Sequence, residues 1–468
     1  MYGITFDTRS RLSQYRQLVD QLREKITNGT LTGGTRLAST RELSERLGIA
    51  RGIVLEAVDQ LKMEGYLTTV HGSGTFIREG LVWDSLSRSG PISSIEARHT
   101  HQDRPSPVLS FAPGMPDMTL FPRRAWLSCY HDAVEYASLD DLGYNRPSGD
   151  WNLRVAISSH LYEIKGITAG PERIIVTAGA SQAIAMLASL FDSPRIVMED
   201  PQAPFIRRIF DGLGCDIVYA PVDEEGIRED LVTCDNADLI YVTPTHQFPV
   251  GGSLSAERRI ALLAKARSLG AWIIEDDFDS EFRYDGNPVT PLQVMANERV
   301  VYVGTFSKTV SPALRIGFMV VPPGIQARIK TLKRRWDFWN EGFQQKAMAL
   351  FIEKGYLARH LARAHRSYRR KNAFLKECIT QRLSPRWRIT GATTGMHLVI
   401  RRCAQNGKTF DVSPFKEALA KQGLEVESIH DYCQKYYAFP DALIIAFGNR
   451  SEAELTRLVC VIDDIDKS

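Results

Sequence analysis

Lys308 stands in the run 302–317, YVGTFSKTVSPALRIG, where an apolar stretch delivers one lysine into a loop and an arginine and a glycine follow. An amine that can shed its proton attacks carbonyl carbon, so Lys308 is a candidate Schiff-base former. Such chemistry with pyridoxal 5'-phosphate (PLP) also needs hydroxyl and cationic groups to grip the phosphate. Thr305, Ser307 and Arg315 supply those types at close spacing. A lysine picked at random is a solvated surface residue. The apolar approach and the Ser-Lys…Arg-x-Gly spacing argue for a built site instead.

Three further loops offer matching chemistry. Thr177-Ala-Gly179-Ala180-Ser181 follows an apolar run and opens a helical pattern, so its amides and the Ser181 hydroxyl are suited to a phosphate at the positive end of a helix. Asp276, in Glu275-Asp276-Asp277 after the apolar run 271–275, can pair with a protonated pyridine nitrogen and make the ring an electron sink. The loop 243–251, TPTHQFPVG, is stiffened by proline and glycine and can present His246 or Gln247 to the ring's phenolic oxygen.

These loops need a sheet to hold them. Short apolar runs at 173–177, 195–198, 239–243, 271–275, 300–303 and 317–321 read as strands, and helical stretches such as 256–269 separate several of them. That alternation predicts a mostly parallel α/β sheet buried on both faces. With 468 residues the chain exceeds one ordinary core. Residues 79–107, rich in Ser, Pro, Gly and charge, read as a linker. The expected domains are therefore 1–78 and 108–468, the latter closing with a smaller α+β subdomain from about 340 to 468. The seven cysteines lack CxxC spacing, which argues against a disulfide framework or a zinc site. No apolar stretch is long enough for a membrane span and the N-terminus is not of signal-peptide type, so a cytoplasmic location is expected. A net charge of +3 is small for this length, so any affinity for DNA must come from local placement.

In the first 78 residues, Tyr15, Leu18, Leu22 and Ile26 recur at helical spacing. Ser39 and Glu42 form a capping-box pattern for a second helix. A third helix is expected from about 51 to 64, burying Ile53, Val54, Ala57, Val58 and Leu61. Two strand-like runs then flank His71-Gly72-Ser-Gly74. Three helices and a hairpin make a winged helix-turn-helix.

The order RLASTRELS (36–44), GIARG (48–52), EGYL (64–67) and GSGTF (72–76) resembles the GntR family of bacterial transcription regulators. The resemblance implies that Arg51 and Gly52 begin the recognition helix in the major groove, that Ser39, Thr40 and Arg41 touch phosphates, and that His71 and Gly72 approach the minor groove. Ala38 stands where that family usually has proline, and Ala50 where a serine or threonine usually caps the recognition helix. The later loops, in their order, resemble fold-type I aminotransferases; joined to the head, they resemble the MocR/GabR-like subfamily of GntR regulators. By that resemblance Lys308 forms an internal aldimine, Asp276 meets the pyridine nitrogen, and His246 or Gln247 lies near the phenolic oxygen. Gly179, Ala180, Ser181, Thr305, Ser307 and Arg315 surround the phosphate, and Tyr144 adds a contact from the partner of a head-to-tail homodimer.

Three departures temper that picture. Glu199-Asp200-Pro201 continues Gln202-Ala203-Pro204-Phe205 where the family has the aromatic that stacks on the cofactor. Phe278 replaces the tyrosine that donates to the phenolic oxygen. Ile444 stands where aminotransferases hold the arginine that clamps a substrate carboxylate. The expected function is a PLP-dependent regulator that senses PLP or an amine joined to it and changes how a dimer meets paired half-sites in double-stranded DNA, with weak or no transaminase turnover. The competing readings are a working aminotransferase with a DNA-binding head, and a regulator whose large domain binds some other ligand. The charge runs 333–335 and 369–371 read as solvated helix faces.

Overall fold

The computed structural model describes all residues except 11, 82–107, 145, 287–288, 404–409, 437–438 and 468. The chain divides into two compact units, Met1–Arg104 and Pro105–Ser468. The linker expected at 79–107 falls almost wholly outside the described residues. No helix among those described is long and apolar enough to cross a membrane.

The first unit comprises α1 (Gln14–Thr27), α2 (Thr40–Leu47), α3 (Arg51–Met63) and a hairpin of β1 (Leu67–Val70) and β2 (Gly74–Ile77). Leu18, Leu22 and Ile26 from α1, Leu43 from α2 and Val54, Ala57, Val58 and Leu61 from α3 share one buried cluster. The expected capping box is only half made. The Ser39 side chain accepts from the Glu42 amide at 3.2 Å, but Glu42 turns to Arg46, also at 3.2 Å. An exposed ion pair one helical turn away competes successfully with a bond back to the cap.

The second unit is built on an eight-stranded sheet. Its strands are β3 (Ile174–Thr177), β4 (Arg195–Asp200), β5 (Asp216–Asp223), β6 (Gly226–Ile227), β7 (Leu239–Val242), β8 (Trp272–Asp277), β9 (Val300–Thr305) and β10 (Gly317–Val320), in the order β3-β10-β9-β8-β7-β4-β5-β6. The run β9-β8-β7-β4-β5 is parallel, whereas β10 is antiparallel to both neighbours and β6 to β5. Complete burial of β3, β7 and β10 follows from helices on both faces. The helix starts that matter for the site are α4 (Ala180–Ala188) after β3 and α5 (Pro204–Gly212) after β4. A long helix, α6 (Tyr356–Leu383), leads to a second sheet of β11 (Trp387–Thr390), β12 (His397–Arg402), β13 (Glu427–Ser428) and β14 (Ala442–Ala446), ordered β11-β12-β14-β13. This is an α/β aminotransferase fold of type I with a smaller C-terminal α+β layer.

The two charge runs are not uniformly solvated. Lys333 is fully buried and holds Asp337 at 2.6 Å, and Lys371 is buried against Asp117 and the Gly448 carbonyl at 2.9 and 2.7 Å. Their arginine neighbours Arg334, Arg335, Arg369 and Arg370 stay exposed. Burial of an ammonium is tolerated because each gains a carboxylate partner.

Candidate functional site

The C-terminal ends of the parallel strands open onto a pocket of about 520 Å³. The end of β9 contributes Thr305, the loop after it Ser307 and Lys308, and the turn before β10 Arg315. Thr305 Oγ1 donates to Ser307 Oγ at 3.0 Å and accepts from the Ser307 amide at 3.1 Å, which fixes both hydroxyls at the loop's start. Arg315 adopts a left-handed conformation (φ 49°) that ends a short 3-10 turn, and its guanidinium donates to the Ala178 carbonyl. Gly317 is obligatory for packing. A Cβ there would lie 2.7 Å from the Gly179 backbone, so only glycine lets β10 approach the start of α4. Gly179 itself has φ +93°, and Ala180 and Ser181 line the pocket at the first turn of α4. Three backbone segments thus press hydroxyls, amides and one guanidinium into a small volume.

Lys308 Nζ donates to the Gly114 carbonyl. Burial lowers the pKa of its ammonium, with Asp279 and Asp276 acting in the opposite sense. Facing it, the last residues of β8 supply Asp276. Burial pushes its carboxyl up to about 6 even though the Tyr241 hydroxyl donates to Oδ2 at 2.6 Å. Oδ1 of Asp276 is buried and has no hydrogen-bond partner. A buried carboxylate oxygen without a donor is costly, so a cationic N–H donor brought into the pocket would be stabilised there.

The loop 243–251 behaves differently from expectation. Gln247 spends its amide on the Pro201 and Phe248 carbonyls at 3.1 and 2.8 Å and accepts from the Val250 amide at 3.1 Å. It braces the loop and does not line the pocket. His246 is also set back, its Nδ1 2.7 Å from Asp279 Oδ1 and its ring stacked between Phe278 and His397 at centroid distances of 5.6 and 4.9 Å. Phe278, with no polar atom on its ring, occupies the lining position in front of it. Gln202 and Thr243 hold the fully buried Glu199, whose carboxyl burial raises to about 7.

The opposite wall comes from α5 with its cap residue and from the second sheet with its flanking turns: Ala203, Phe205, Arg208, Met396, His397 and Tyr432. Ala203 is buried while Phe205 is 48% exposed, so neither presents an aromatic face as tightly fixed as the groups opposite. Ile444 is fully buried in β14 among Val250, Val399, Ile429 and Tyr432. Arg450 lies over the Phe111 ring at 5.6 Å. Neither lines the pocket; among the described residues its arginines are Arg208 and Arg315. Tyr144, 87% exposed, packs edge-on against Trp339 at 4.9 Å and is likewise outside the pocket within one chain. Tyr241 and Arg208 were not legible from motifs. Tyr241 sits inside an apolar strand run, where a tyrosine reads as core.

In the first unit, Ser39 caps α2, Thr40 begins it, and Arg41 is exposed and paired with Glu45 at 3.1 Å. Arg51 and Gly52 form the exposed first turn of α3, whose cap residue Ala50 makes no side-chain cap bond. His71 and Gly72 form the exposed hairpin tip. Ala38 donates its amide to the Tyr2 hydroxyl at 3.0 Å, a bond that a proline there would forbid.

Residues 14–77 match the bacterial regulatory proteins of the gntR family, and residues 130–462 match aminotransferase class I and II. The pyridoxine biosynthesis transcriptional regulator PdxR of Corynebacterium glutamicum is 34% identical over 449 residues, 96% of this chain and 95% of that protein. The probable rhizopine catabolism regulatory protein MocR of Rhizobium meliloti is also 34% identical, over 85% and 83% of the two chains. The chain belongs to the MocR-like subfamily of GntR transcription regulators. An archaeal alanine:glyoxylate aminotransferase superposes on this regulator with a TM-score of 0.70 at 26% identity, covering 78% of this chain and 92% of the other. The multiple substrate aminotransferase of Thermococcus profundus gives 0.69 at 24% identity, over 78% and 93%. The regulator therefore joins a DNA-binding winged helix to an aminotransferase-like unit.

Proposed function

We propose that this regulator binds PLP in the pocket at Lys308, senses PLP or an amine carried on it, and alters promoter binding as a head-to-tail homodimer on paired half-sites. The observation that carries this reading is the buried, unpartnered Oδ1 of Asp276 in the same 520 Å³ pocket as Lys308. When bound, the cofactor supplies an aldehyde that exchanges between amines and a ring whose protonated nitrogen withdraws electrons.

The chain's own residues have distinct duties in this proposal. Asp276 accepts the ring N–H, and Tyr241 orients that carboxylate. Lys308, with its proton held less tightly than in water, supplies the amine that attaches the aldehyde. Ser181, Thr305, Ser307, Arg315 and the amides at Gly179 and Ala180 hold the phosphate. Phe278 gives no hydrogen bond to the phenolic oxygen, and Ile444 gives no charge to a substrate carboxylate. Binding and sensing are thus served better than steady amino transfer. The relative named for pyridoxine biosynthesis makes PLP itself a reasonable effector.

Leu127, Val134, Leu139, Leu142, Tyr144 and Phe338 leave large apolar surface exposed on the second unit, which supports a subunit interface. Titration with PLP while recording visible absorbance tests the reading. The wild type should develop a band that Lys308→Ala lacks, and PLP or an amine should change its affinity for promoter DNA. A wild-type spectrum equal to that of free PLP would exclude the proposal.

A further inference from the structure

Away from the pocket, the first half of α6 carries a row of arginines. Arg359, Arg363, Arg366 and Arg370 are spaced four, three and four residues apart and so lie along one helix face. All four are exposed. Arg370 is tied to Glu452 at 3.1 Å, but the other three have no carboxylate partner among the described residues. They line one side of an open groove of about 440 Å³, closed on the other side by Pro122 and Ala125, with the exposed Arg123 and Arg124 between those two in sequence.

Two of the guanidiniums are aimed rather than free. Arg359 donates one arm to the Lys354 carbonyl at 2.8 Å and stacks over the Tyr356 ring at 4.7 Å. Arg363 donates one arm to the Leu120 carbonyl. A guanidinium has five N–H donors, so each keeps most of its fork for an outside acceptor. Backbone carbonyls neutralise no charge. The groove therefore presents three uncompensated cations in a row.

We propose that this ladder binds the phosphate backbone of the DNA that the regulator occupies, as a second contact surface separate from the winged helix. The seven steps from Arg359 to Arg366 span ~10 Å at 1.5 Å rise, which matches about three phosphate-to-phosphate intervals of one strand at 3.4 Å axial spacing. Planar forks suit phosphate oxygens, and a contact of this kind adds affinity without reading bases.

The test is the salt dependence of binding by the full-length protein to a mixed-sequence duplex of about 60 base pairs, where each neutralised phosphate contributes ~0.9 to the slope of log K against log salt. The triple variant R359Q/R363Q/R366Q should lose ~2.7 from that slope for each protomer whose ladder meets the duplex, while the triple lysine variant should stay near wild type because a phosphate accepts either cation. R366Q alone, at a side chain for which the structure shows no hydrogen bond or ion pair, should lose ~0.9 per contacting protomer and guards against misfolding of the triple variant. An unchanged slope in both glutamine variants would overturn the proposal. So would a slope unchanged while the measured mass falls from dimer to monomer, which would assign the ladder to subunit contact instead.

Discussion

The two walls of the Lys308 pocket differ in kind. On one wall, Thr305 and Ser307 hold each other, while Lys308, Arg315, Asp276 and Tyr241 are each held by a short polar contact to another segment. On the other, Ala203, Phe205, Met396 and the adjoining Phe278 offer apolar surface beside Arg208, His397 and Tyr432, and Ile444 is sealed in the second sheet. The first wall concentrates hydroxyls, an amine and a buried carboxylate; the second carries one guanidinium, Arg208, and no hydroxyl at Phe278. The division is one of chemistry and not of strand, because Phe278 follows directly on β8, which bears Asp276.

The largest disturbance of the first wall should come from Gly317→Ala. Its Cβ would meet backbone at 2.7 Å, which no rotamer change relieves. Overpacking of this kind costs ~1–3 kcal/mol and should push the start of α4 off the pocket. A lowered denaturation midpoint together with at least tenfold weaker PLP binding is expected; unchanged binding would mean that α4 does not hold the phosphate.

Asp276 gives a pH signature with a definite sign. Its ordinary carboxyl value of 3.8 rises to about 6 on folding, so the folded protein binds more protons than the unfolded chain between those values. That contribution is favourable at low pH and is lost as pH rises, with a ceiling of ~3 kcal/mol at ~1.4 kcal/mol per pH. Without cofactor, Asp276→Asn should therefore gain on the wild type by up to ~3 kcal/mol between pH 4 and pH 7. Buried histidines such as His397, held down to about 3, change stability in the same window but cancel in this difference. Adding PLP should reverse the ranking, because only the carboxylate pairs with the ring N–H. Thermal denaturation across pH with and without PLP measures both effects.

A smaller effect is expected at Tyr241→Phe, which removes the donor to Asp276 and leaves a buried carboxylate with no partner in the empty pocket. Loss of a hydrogen bond to a charged group corresponds to ~1.5–3 kcal/mol. Weakened PLP affinity with the Lys308 band still formed would mark Tyr241 as a residue that positions Asp276; loss of the band would give it a more direct part.

The first wall was largely legible in the sequence, because its parts sit in one or two short loops next to apolar strand runs. All six runs read as strands formed strands, and the helix expected at 256–269 spans Ala256–Leu269. The strand Asp216–Asp223 was missed because Pro221 interrupts its short apolar pattern. The antiparallel sense of β10 was invisible too, since a strand's direction depends on its neighbours and leaves no mark in composition. The second wall resisted for a related reason. Arg208 reaches the pocket from a segment far earlier in the chain than Met396 and Tyr432, and no local pattern announces that they meet. Gln247 erred in the other direction: a loop glutamine suited to a ligand is consumed by its own loop.

Phe278→Tyr probes the second wall most gently. The ring is already seated, stacked on His246 at 5.6 Å and edge-on to Phe248 at 6.0 Å, and one face of its site opens to the pocket. Adding a hydroxyl at that mouth should change stability by no more than ~0.5 kcal/mol. If the added oxygen reaches the cofactor's phenolic position, it stabilises the deprotonated form there, and the pH midpoint of the absorbance change should move down by roughly one pH or less. A midpoint that does not move would mean that the missing hydroxyl is not what separates the two walls, and would shift attention to Ala203 and the unfilled stacking position beside it.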